Sequence, residues 1–489
     1  MAAPLTYALA LFAGGCVSGP GLLAGREDTE EAEERDTAGV DDTDTDTAAT
    51  DTDTDTDTAG TDTDEATPVA GFPTNLYPGA NVVVIFVDTL RADRLRAYGH
   101  TRDTLPTVGG EPWVTVHGLY AASSWTLPTT AAALTGLDPH HHGLIAFADT
   151  DIGAAEPITA PTLAGHLRGA GYASGLFSGN GIVSPTVGIG LDFDTVSTRK
   201  NTEGARDAAG QLPDTLAWID SLSPGVPFFA WVQPMDMHGP YSPEAEDIGT
   251  WSDAELMFPL GGEWQDQERA MDVAYATDPS RVREQVRDVY DEQLLGVDRA
   301  LRTFLDALDA RGLRENTIVI LAADHGETLD DYGDGAFGHS GSLRYELLNV
   351  PFLMLLPGLS AASYECGSSS SDLTPTLLTF LGVPVPAGLD GRSLQRGCRD
   401  WKRAAYWERG SALAHLSVAD SDFHLIRNCA ASREEFREVR NGAYGVPTVE
   451  PRSVPRAAQQ REEVGYYADE IATAYEGTAC NGPSSALTE

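Results

Sequence analysis

The feature that most limits the fold of this chain is a series of short apolar runs that alternate with helical segments. The first run, NVVVIFV at 81–87, is rich in β-branched residues and is followed directly by Asp88. A continuous apolar run of this length predicts a strand that is buried on both faces of a sheet. Further runs of this kind occupy residues 171–179, 227–238, 317–327 and 350–358.

Amphipathic helical segments separate these predicted strands. Across residues 282–312, apolar side chains recur at intervals of three and four, and Gly312 follows the last turn, as is typical of a helix C-terminus. Strands that alternate with helices predict an α/β protein whose mostly parallel sheet is covered by helices on both faces. With 489 residues, the chain is long enough for one large core or two packed domains.

The first sixteen residues, MAAPLTYALALFAGGC, resemble a bacterial lipoprotein signal peptide. This predicts a signal peptide at 1–15 and lipidation of Cys16, which would tether an exported protein to the periplasmic or outer face of a cell-envelope membrane. No Lys or Arg precedes the apolar run, so a start codon placed upstream of an ordinary secreted chain is the alternative. No other apolar run reaches the roughly 18 residues that span a bilayer.

An acidic, low-complexity segment at 16–76 comes next. Between Arg26 and Glu65 it contains 18 acidic and 2 basic residues, and so contributes −16 to a net charge of −42. Because so few apolar side chains cannot offset chain entropy, we expect a disordered, extended tether. The Asp repeat lacks the turn glycine and closing glutamate of a calcium loop. The acidic balance also argues against nucleic acid as a partner, because phosphate backbones are bound by Lys and Arg.

Candidate site residues recur at the ends of the predicted strands. Asp88 ends the first strand, residues 236–238 end another, and residues 324–327 end a third. In α/β sheets, ligands bind at the carboxyl ends of the strands. Asp88, Asp324 and His325 offer carboxylate oxygens and an imidazole, which suit one divalent ion: Mg, Mn, Zn or Ca. An Asp–His pair at a strand end also occurs as ordinary structure.

The stretch SSWTLPTTAAALTG at 123–136 predicts a short loop that leads into a helix. At a helix N-terminus, the positive end of the dipole and the free N–H groups can hold a phosphate or sulfate group. The hydroxyl groups of Thr126 and Thr129 would lie there. The alternative is that one of these threonines only caps the helix, and the stretch alone does not decide between the two interpretations.

Seven blocks of the chain resemble the sulfatase family of the alkaline-phosphatase-like superfamily, in the family's order over residues 80–395. They are VVVIFVDTLRADRLRAYG, SSWTLPTTAAALTGLDPHHHG, APTLAGHLRGAGYASGLFSGN, FFAWVQPMDMHGPY, YDEQLLGVDRALRTFLDALDARGLRENTIVILAADHGE, FGHSG and SSSDLTPTLLTFLGVPVPAGLDGRSL. The resemblance implies an α/β, alkaline-phosphatase-like three-layer sandwich with a mostly parallel central sheet. It also implies a catalytic domain at 77–358 and a smaller C-terminal subdomain at 359–489.

The resemblance further implies a nucleophile and a metal site. Aligning the chain on residues 134–136 places Thr126 at the family's nucleophile position. The family implies one divalent metal ion held by Asp88, Asp324 and His325, with Thr126 facing it.

This chain departs from the family's pattern at four places. Most sulfatases carry a Cys or Ser, oxidised to formylglycine, where this chain has Thr126, and an Arg where it has Thr130. A sulfate-binding Gly-Lys-Trp-His run is replaced by SGN at 178–180, and the second Asp of the first metal motif by Thr89. A threonine is not expected to become formylglycine. The resemblance to lipoteichoic acid synthases and lipid phosphoethanolamine transferases implies instead a metal-bound threonine alkoxide that attacks a phosphodiester.

Histidines in the matching blocks are further candidates. By position in the family's blocks, His238 and His339 are candidates for protonating the leaving group or contacting an oxyanion, and Asn180 for donating to a substrate oxygen. The run His140–His142 is typical of metal binding in isolation, but its place just after the nucleophile helix favours packing and loop structure.

These expectations favour a metal-dependent hydrolase that cleaves sulfate or phosphate esters through Thr126, with phosphoesters or phosphodiesters preferred on mechanistic grounds. The substrate would be a small-molecule, glycan or lipid ester. One alternative is an envelope transferase that moves a phospho-alcohol head group, although such enzymes usually carry transmembrane helices. Another is an inactive binding module, which predicts loss of the metal ligands. The sequence does not determine the metal, the substrate or the oligomeric state.

Four cysteines besides Cys16 lie in the last quarter of the chain. In an exported protein they predict two disulfides. Pairing neighbours would join Cys366 to Cys398 and Cys429 to Cys480, but four cysteines allow three connectivities. The absence of a CxxC spacing makes a zinc site the weaker interpretation.

Overall fold

A computed structural model describes residues 71–145, 157–198, 207–253, 255–339, 341–407, 413–420, 422–429, 433–440, 443–444, 455–474 and 480. The predicted signal peptide, Cys16 and the acidic segment up to residue 70 lie outside these residues. None of the helices in the described ranges combines the length and apolar character that crossing a membrane requires.

The apolar runs form the centre of a large sheet. The strands in this part of the chain are β1 (Asn81–Val87), β2 (Val114–Tyr120), β3 (Ala173–Ser178), β4 (Thr195–Thr198), β5 (Phe228–Gln233), β6 (Thr317–Ala323), β7 (Thr328–Leu329), β8 (Phe337–Gly338), β9 (Asn349–Leu355) and β10 (Ala362–Ser369). Eight of them form one sheet in the order β10-β2-β9-β6-β1-β5-β3-β4, and β7 pairs with β8. Only β9 runs antiparallel to its neighbours, so the predicted mostly parallel sheet is confirmed.

Helices cover this sheet in two groups. The described helices are α1 (Pro106–Gly110), α2 (Thr126–Thr135), α3 (Pro139–His142), α4 (Leu163–Gly169), α5 (Ala208–Ser221), α6 (Trp264–Tyr275), α7 (Pro279–Ala310), α8 (Tyr345–Leu348), α9 (Leu373–Phe380) and α10 (Pro455–Ala474). Helix α7 packs against α1, α5 and α6, whereas α2 packs against α4 and α9. Asp278 caps α7 by accepting a hydrogen bond from the Arg281 N–H, and Pro279 occupies the first turn.

A second, antiparallel sheet follows. It contains β11 (Lys402–Trp407), β12 (Leu413–Ala419), β13 (Phe423–Asn428), β14 (Arg433–Arg440) and β15 (Ala443–Tyr444), in chain order. Helix α10 packs on β12 and β13 through the buried side chains of Val464, Tyr467 and Ile471. This sheet is the smaller C-terminal subdomain that the sequence predicts. Strand β10 pairs with β2 in the large sheet, although the predicted subdomain boundary at residue 359 would place it in the smaller one.

Two disulfides join neighbouring cysteines. Cys366 is bonded to Cys398 and Cys429 to Cys480, with Cα–Cα distances of 5.0 and 4.6 Å. The prediction of two disulfides is confirmed, and the fold selects one of the three possible connectivities. The first bridge ties β10 to the segment before β11, and the second ties the end of β13 to the residues after α10.

Candidate active site

Two adjacent strands bring the candidate metal ligands together. Strand β1 lies between β5 and β6, and its last residue, Val87, pairs with Ala323. Asp88 and Asp324 therefore leave the sheet side by side, and His325 follows. All three side chains are fully buried, and each offers a ligand atom within 4.8 Å of the others.

Hydrogen bonds fix the orientation of Asp324 and His325. Asp324 Oδ1 accepts hydrogen bonds from the backbone N–H groups of His325 at 2.8 Å and Thr89 at 3.1 Å. His325 Nδ1 lies 2.9 Å from the Gly326 carbonyl oxygen, which leaves Nε2 to face the carboxylates. This Nε2 is 3.7 Å from Asp88 Oδ1 and 3.7 Å from Asp324 Oδ2.

The backbone around these ligands is unusual at two positions. Thr89 has a φ of 60°, in the left-handed region that β-branched residues rarely adopt. In this conformation the Thr89 N–H group points at Asp324 Oδ1. A Cβ at Gly326 would overlap the Glu346 carbonyl oxygen, so the close approach of backbone at that point requires glycine.

The electrostatics of this cluster fit a divalent cation. Burial raises the pKa of Asp324 well above its usual range, and the neighbouring Asp88 raises it further. Asp88 Oδ1 is buried and has no hydrogen-bond donor among the described residues. Two buried carboxylates that face each other without a positive partner are unfavourable, and a bound cation removes that cost. The oxygen and imidazole donors suit Ca, Mg, Mn or Zn.

Thr126 begins α2 and faces the same cluster. Its Oγ1 lies 3.3 Å from Asn180 Nδ2, and 3.5 Å from both Asp88 Oδ2 and His325 Nε2. The N-cap of α2 is Trp125, and no side chain caps the helix. The interpretation of Thr126 as a cap is therefore wrong.

Thr129 has a different role from Thr126. Its hydroxyl donates to the Ser123 carbonyl oxygen at 3.0 Å and lies 3.2 Å from the Ser123 nitrogen. It closes the loop that precedes α2 and holds the helix start in position beneath the sheet edge.

Asn180 contacts the cluster directly. Its Nδ2 donates to Asp88 Oδ2 at 2.7 Å and lies 3.3 Å from Thr126 Oγ1, while Oδ1 accepts from the Ile182 N–H at 3.2 Å. The prediction was a donor to a substrate oxygen. That role stays a prediction; in this structure Asn180 Nδ2 contacts two protein oxygens, and Asn180 orients the carboxylate and the hydroxyl.

His238 and His339 lie next to each other beside the candidate metal ligands. The His339 ring centroid is 4.5 Å from that of His325 and 4.9 Å from that of His238. His339 Nδ1 lies 3.1 Å from Glu327 Oε1. Burial lowers the pKa of His339, but the Glu327 carboxylate outweighs it, and the net shift is upward. Burial lowers the pKa of His238, so the pKa values of the two imidazoles are shifted in opposite directions.

One polar residue of the cluster has no counterpart among the predicted site residues. Gln233 ends β5, and its Nε2 lies 3.3 Å from Asp324 Oδ2 and 3.1 Å from Thr130 Oγ1. Trp231 Nε1 donates to Gln233 Oε1 at 3.1 Å. The position of Gln233 at the carboxyl end of a central strand is the sequence signal that could have identified this residue. Thr130, at the position of the family's Arg, is thus part of a neutral amide–hydroxyl contact.

Asp236 does not join this cluster. Its Oδ2 accepts a hydrogen bond from the Ala208 N–H at 2.8 Å, at the start of α5. Burial and the nearby Asp207 raise its pKa to about 7. Asp236, although it lies at a strand end, therefore binds a backbone N–H group at the start of α5.

Among the described residues, this cluster has no Arg or Lys in contact. Within the described part of the chain, no Arg or Lys forms a hydrogen bond or ion pair with Asp88, Thr126, Asn180, Asp324 or His325. Arg91, which is near in sequence, is held instead by Asp93 at 2.7 Å and Asp331 at 2.9 Å. The positive charge available to a bound anion would come from a metal ion and His339.

Sequence comparisons find similarity to sulfatases. The model of the family described as "Sulfatase" matches residues 80–383. The chain is 24% identical to the arylsulfatase of Clostridium perfringens over 255 residues, which are 49% of this chain and 52% of that protein's length. It is also 24% identical to the Delta 4,5-hexuronate-2-O-sulfatase of Bacteroides thetaiotaomicron over 358 residues, 66% of this chain and 72% of the relative.

A solved structure extends the similarity to the whole fold. The phosphonate monoester hydrolase of Silicibacter pomeroyi superposes with a TM-score of 0.62 at 20% sequence identity, and the match covers 82% of this chain and 96% of that one. At this level of identity the similarity establishes the fold alone.

Proposed function

The chain belongs to the sulfatase family, and on that premise we propose that it is a metal-dependent hydrolase of phosphate or sulfate esters that uses Thr126 as its nucleophile. Among these esters we favour phosphodiesters and other singly charged phosphoesters. The observation that carries the proposal is the arrangement of a buried hydroxyl, Asp88, Asp324 and His325 around one point.

Asp88, Asp324 and His325 would hold the divalent ion. When bound, the ion lowers the pKa of a coordinated hydroxyl and neutralises charge on the substrate's oxygens. The Thr126 hydroxyl is directed at Asp88 Oδ2 and contacts Asn180 Nδ2. Asn180 thus holds the hydroxyl and one metal-binding carboxylate in a fixed relation, which reduces the cost of aligning the nucleophile.

The Thr126 hydroxyl would first lose its proton to solvent, and its alkoxide Oγ1 would then bond to phosphorus as the bond from phosphorus to the leaving oxygen breaks. The leaving alkoxide needs a proton. His339 is suited to supply it because Glu327 keeps its imidazole protonated at higher pH. Water then cleaves the phosphothreonine ester, with His339 accepting the proton that it gave up, and this restores Thr126.

One feature favours phosphorus over sulfur, and a second favours diesters over monoesters among phosphate substrates. Threonine is a secondary alcohol that is not expected to become formylglycine, the group on which most sulfatases depend. The site also has no Arg or Lys in contact with Thr126 or Asp88 in the described part of the chain, which favours a singly charged group over a phosphate monoester dianion. The similarity in fold to a phosphonate monoester hydrolase supports the use of this scaffold for phosphorus chemistry.

The substrate would be an ester of a glycan, lipid or small molecule outside the cytoplasm. Sulfated hexuronates are named as the substrate of one relative, and a glycan substrate is proposed here by analogy. Export, and attachment through Cys16, remain predictions from the N-terminal sequence.

The decisive experiment compares three model esters with the purified chain and its variants. Turnover of bis-p-nitrophenyl phosphate, p-nitrophenyl phosphate and p-nitrophenyl sulfate is measured with Mg²⁺, Mn²⁺, Zn²⁺ or Ca²⁺. We expect the diester to be the best substrate, and Thr126→Ala to lower its kcat by about 10³-fold or more. Thr126→Ser should keep part of the activity, because it retains the hydroxyl.

Thr129→Ala is the matched control. It removes a buried threonine hydroxyl one turn along the same helix, and it should change stability more than turnover. A phosphothreonine at position 126, trapped by acid quenching and found by mass spectrometry, would support covalent catalysis. Turnover that survives in Thr126→Ala would mean that the nucleophile lies elsewhere, and no turnover with any metal would favour an inactive binding module.

A further inference from the structure

The three consecutive histidines after the nucleophile helix do not share one role. His142 packs beneath α2, where its Nε2 lies 3.0 Å from the Pro128 carbonyl oxygen and its Nδ1 accepts from the Leu144 N–H at 3.1 Å. Burial lowers the pKa of His142 to about 3. This agrees with the packing interpretation of the run. The other two histidines point away from α2 and toward α10.

His140 is buried, but its ring nitrogens lack hydrogen bonds among the described residues. Its side chain is 1% exposed, and neither ring nitrogen makes a hydrogen bond within the described part of the chain. Its Nε2 is 3.5 Å from Glu470 Oε1. Buried polar atoms are nearly always hydrogen-bonded in folded proteins, so an imidazole without a hydrogen bond at either nitrogen points to a missing partner.

His141 and Glu470 complete a set of donors around this imidazole. The His141 ring centroid is 4.1 Å from that of His140. One ligand atom from each of His140, His141 and Glu470 lies within 4.8 Å of the other two. The Nδ1 of His141 lies 2.8 Å from Asp390 Oδ2, which fixes the ring and leaves Nε2 for another partner.

We propose that His140, His141 and Glu470 form a second metal site, for a borderline divalent transition metal such as Zn²⁺. Two imidazoles and one carboxylate are donors that Zn²⁺ prefers, with a fourth position for water. The contact between His141 and Asp390 is the carboxylate–histidine pattern that orients metal ligands in proteins. This proposal does not depend on the proposed function.

The site would connect two parts of the protein. His140 and His141 lie on α3, which follows the nucleophile helix, and Glu470 lies on α10, which packs on the C-terminal sheet. His140 also makes an edge-on contact with Tyr467 of α10, with ring centroids 5.6 Å apart. An ion at this point would cross-link α10 to the large domain, and its effect would appear mainly in stability.

Glu470 has another partner that could account for its position. Arg403 NH1 lies 3.3 Å from Glu470 Oε2, on the carboxylate oxygen that does not face His140. That ion pair leaves Oε1 available, and it satisfies neither nitrogen of His140. The ion pair alone therefore does not explain why an imidazole is buried here without hydrogen bonds.

The test uses the full chain, stripped of metal with a chelator and then dialysed against Zn²⁺. Bound zinc per chain is measured by mass spectrometry in wild type, Asp324→Asn, Glu470→Gln and the combination of both. We expect about two equivalents in wild type, one in each single variant and none in the combined variant. Glu470→Gln changes a carboxylate that is 42% exposed, so folding should be retained, and circular dichroism checks it.

Thermal unfolding supplies the second measurement. In the Asp324→Asn background, Zn²⁺ should raise the melting temperature, and adding His140→Gln or Glu470→Gln should remove that increase. His117→Gln is the matched control, because His117 is a partly exposed histidine outside the cluster. Equal zinc content and an equal melting shift in Glu470→Gln and His117→Gln would overturn the proposal, whatever the outcome of the esterase assays.

Discussion

Two buried histidines, His325 and His424, show how the proposed active site differs from a structural cluster in the same molecule. Both are fully buried, both have hydroxyl groups nearby, and burial lowers the pKa of each well below its usual range. On residue types and burial alone, either could be taken for an active-site histidine.

The two clusters differ in how completely their polar groups are hydrogen-bonded to one another. His424 Nε2 is 2.7 Å from the Tyr120 hydroxyl and 2.6 Å from Ser417 Oγ, and these two hydroxyls are themselves 2.7 Å apart. This triangle is closed and contains no carboxylate. His325 instead faces Thr126 and two carboxylates across 3.5–3.7 Å. The proposed active site is therefore distinguished by polar groups that are not fully hydrogen-bonded and that leave room for a cation. The presence of a histidine distinguishes it less.

The sharpest test of this comparison is Asp324→Asn, for which we expect the largest effect. Loss of a metal-binding carboxylate should lower diester turnover by about 10³-fold or more. In metal-free protein at neutral pH the same change should raise the melting temperature, because burial beside Asp88 raises the pKa of Asp324 and therefore costs stability.

Ser417→Ala is the counterpart in the closed triangle. It should leave turnover unchanged and lower the free energy of unfolding by about 1–3 kcal/mol, because it breaks buried hydrogen bonds. The distinction between the two clusters would fail if Asp324→Asn and Ser417→Ala both abolished turnover. It would also fail if both variants lowered the stability of the metal-free protein.

A smaller effect is expected for His339→Gln, and it depends on the leaving group. Diesters with alkyl leaving groups need a proton, so their turnover should fall by about 10²-fold. Diesters with p-nitrophenyl leaving groups should be affected far less. The comparison of kcat for the two classes separates proton donation from a general disturbance, which would slow both equally. His424→Gln serves as the control histidine and should slow neither class.

The smallest expected effect concerns the pH dependence of stability at His424. Burial, with Arg437 and Lys402 nearby, holds the pKa of folded His424 well below the value of about 6.5 that it has in the unfolded chain. Below that pH the unfolded chain binds a proton that the folded chain does not. Stability should therefore fall as the pH falls, and this residue contributes about 1.4 kcal/mol per pH unit.

Urea unfolding between pH 7.5 and pH 5 measures this contribution. The difference in stability between wild type and His424→Gln should shrink as the pH decreases, because the variant lacks the titrating group. A difference that stays constant would show that His424 is not held neutral in the fold.

The sheet and its reactive edge could be read largely from the sequence. Apolar runs predicted the central strands because they are buried on both faces, and the rule that chemistry collects at carboxyl strand ends brought Asp88 and Asp324 together. Asp236 satisfies the same rule but serves the start of α5. Gln233 was missed because an uncharged amide after an apolar run carries no chemical signal of its own.

Other features depend on contacts that spacing along the chain does not report. The packing of α10 against α3 brings Glu470 next to His140, and no local pattern in either segment indicates the other. Strand β10 fell within the smaller subdomain only because the boundary implied by the family resemblance was placed at residue 359. It lies at the edge of the large sheet, where five of its eight side chains are not fully buried.

The position of β1 at the centre of the large sheet also has a consequence for folding kinetics. Its partner β6 lies far along the chain, and the hydrogen bond from the Thr89 N–H to Asp324 joins residues 235 positions apart. Closing so long a loop is slow relative to forming the hairpins of the C-terminal sheet. The proposed active site should therefore form late in folding, after residues 317–325 have been synthesised and have paired with β1. A chain that ends before these residues would lack the site and should not hydrolyse esters.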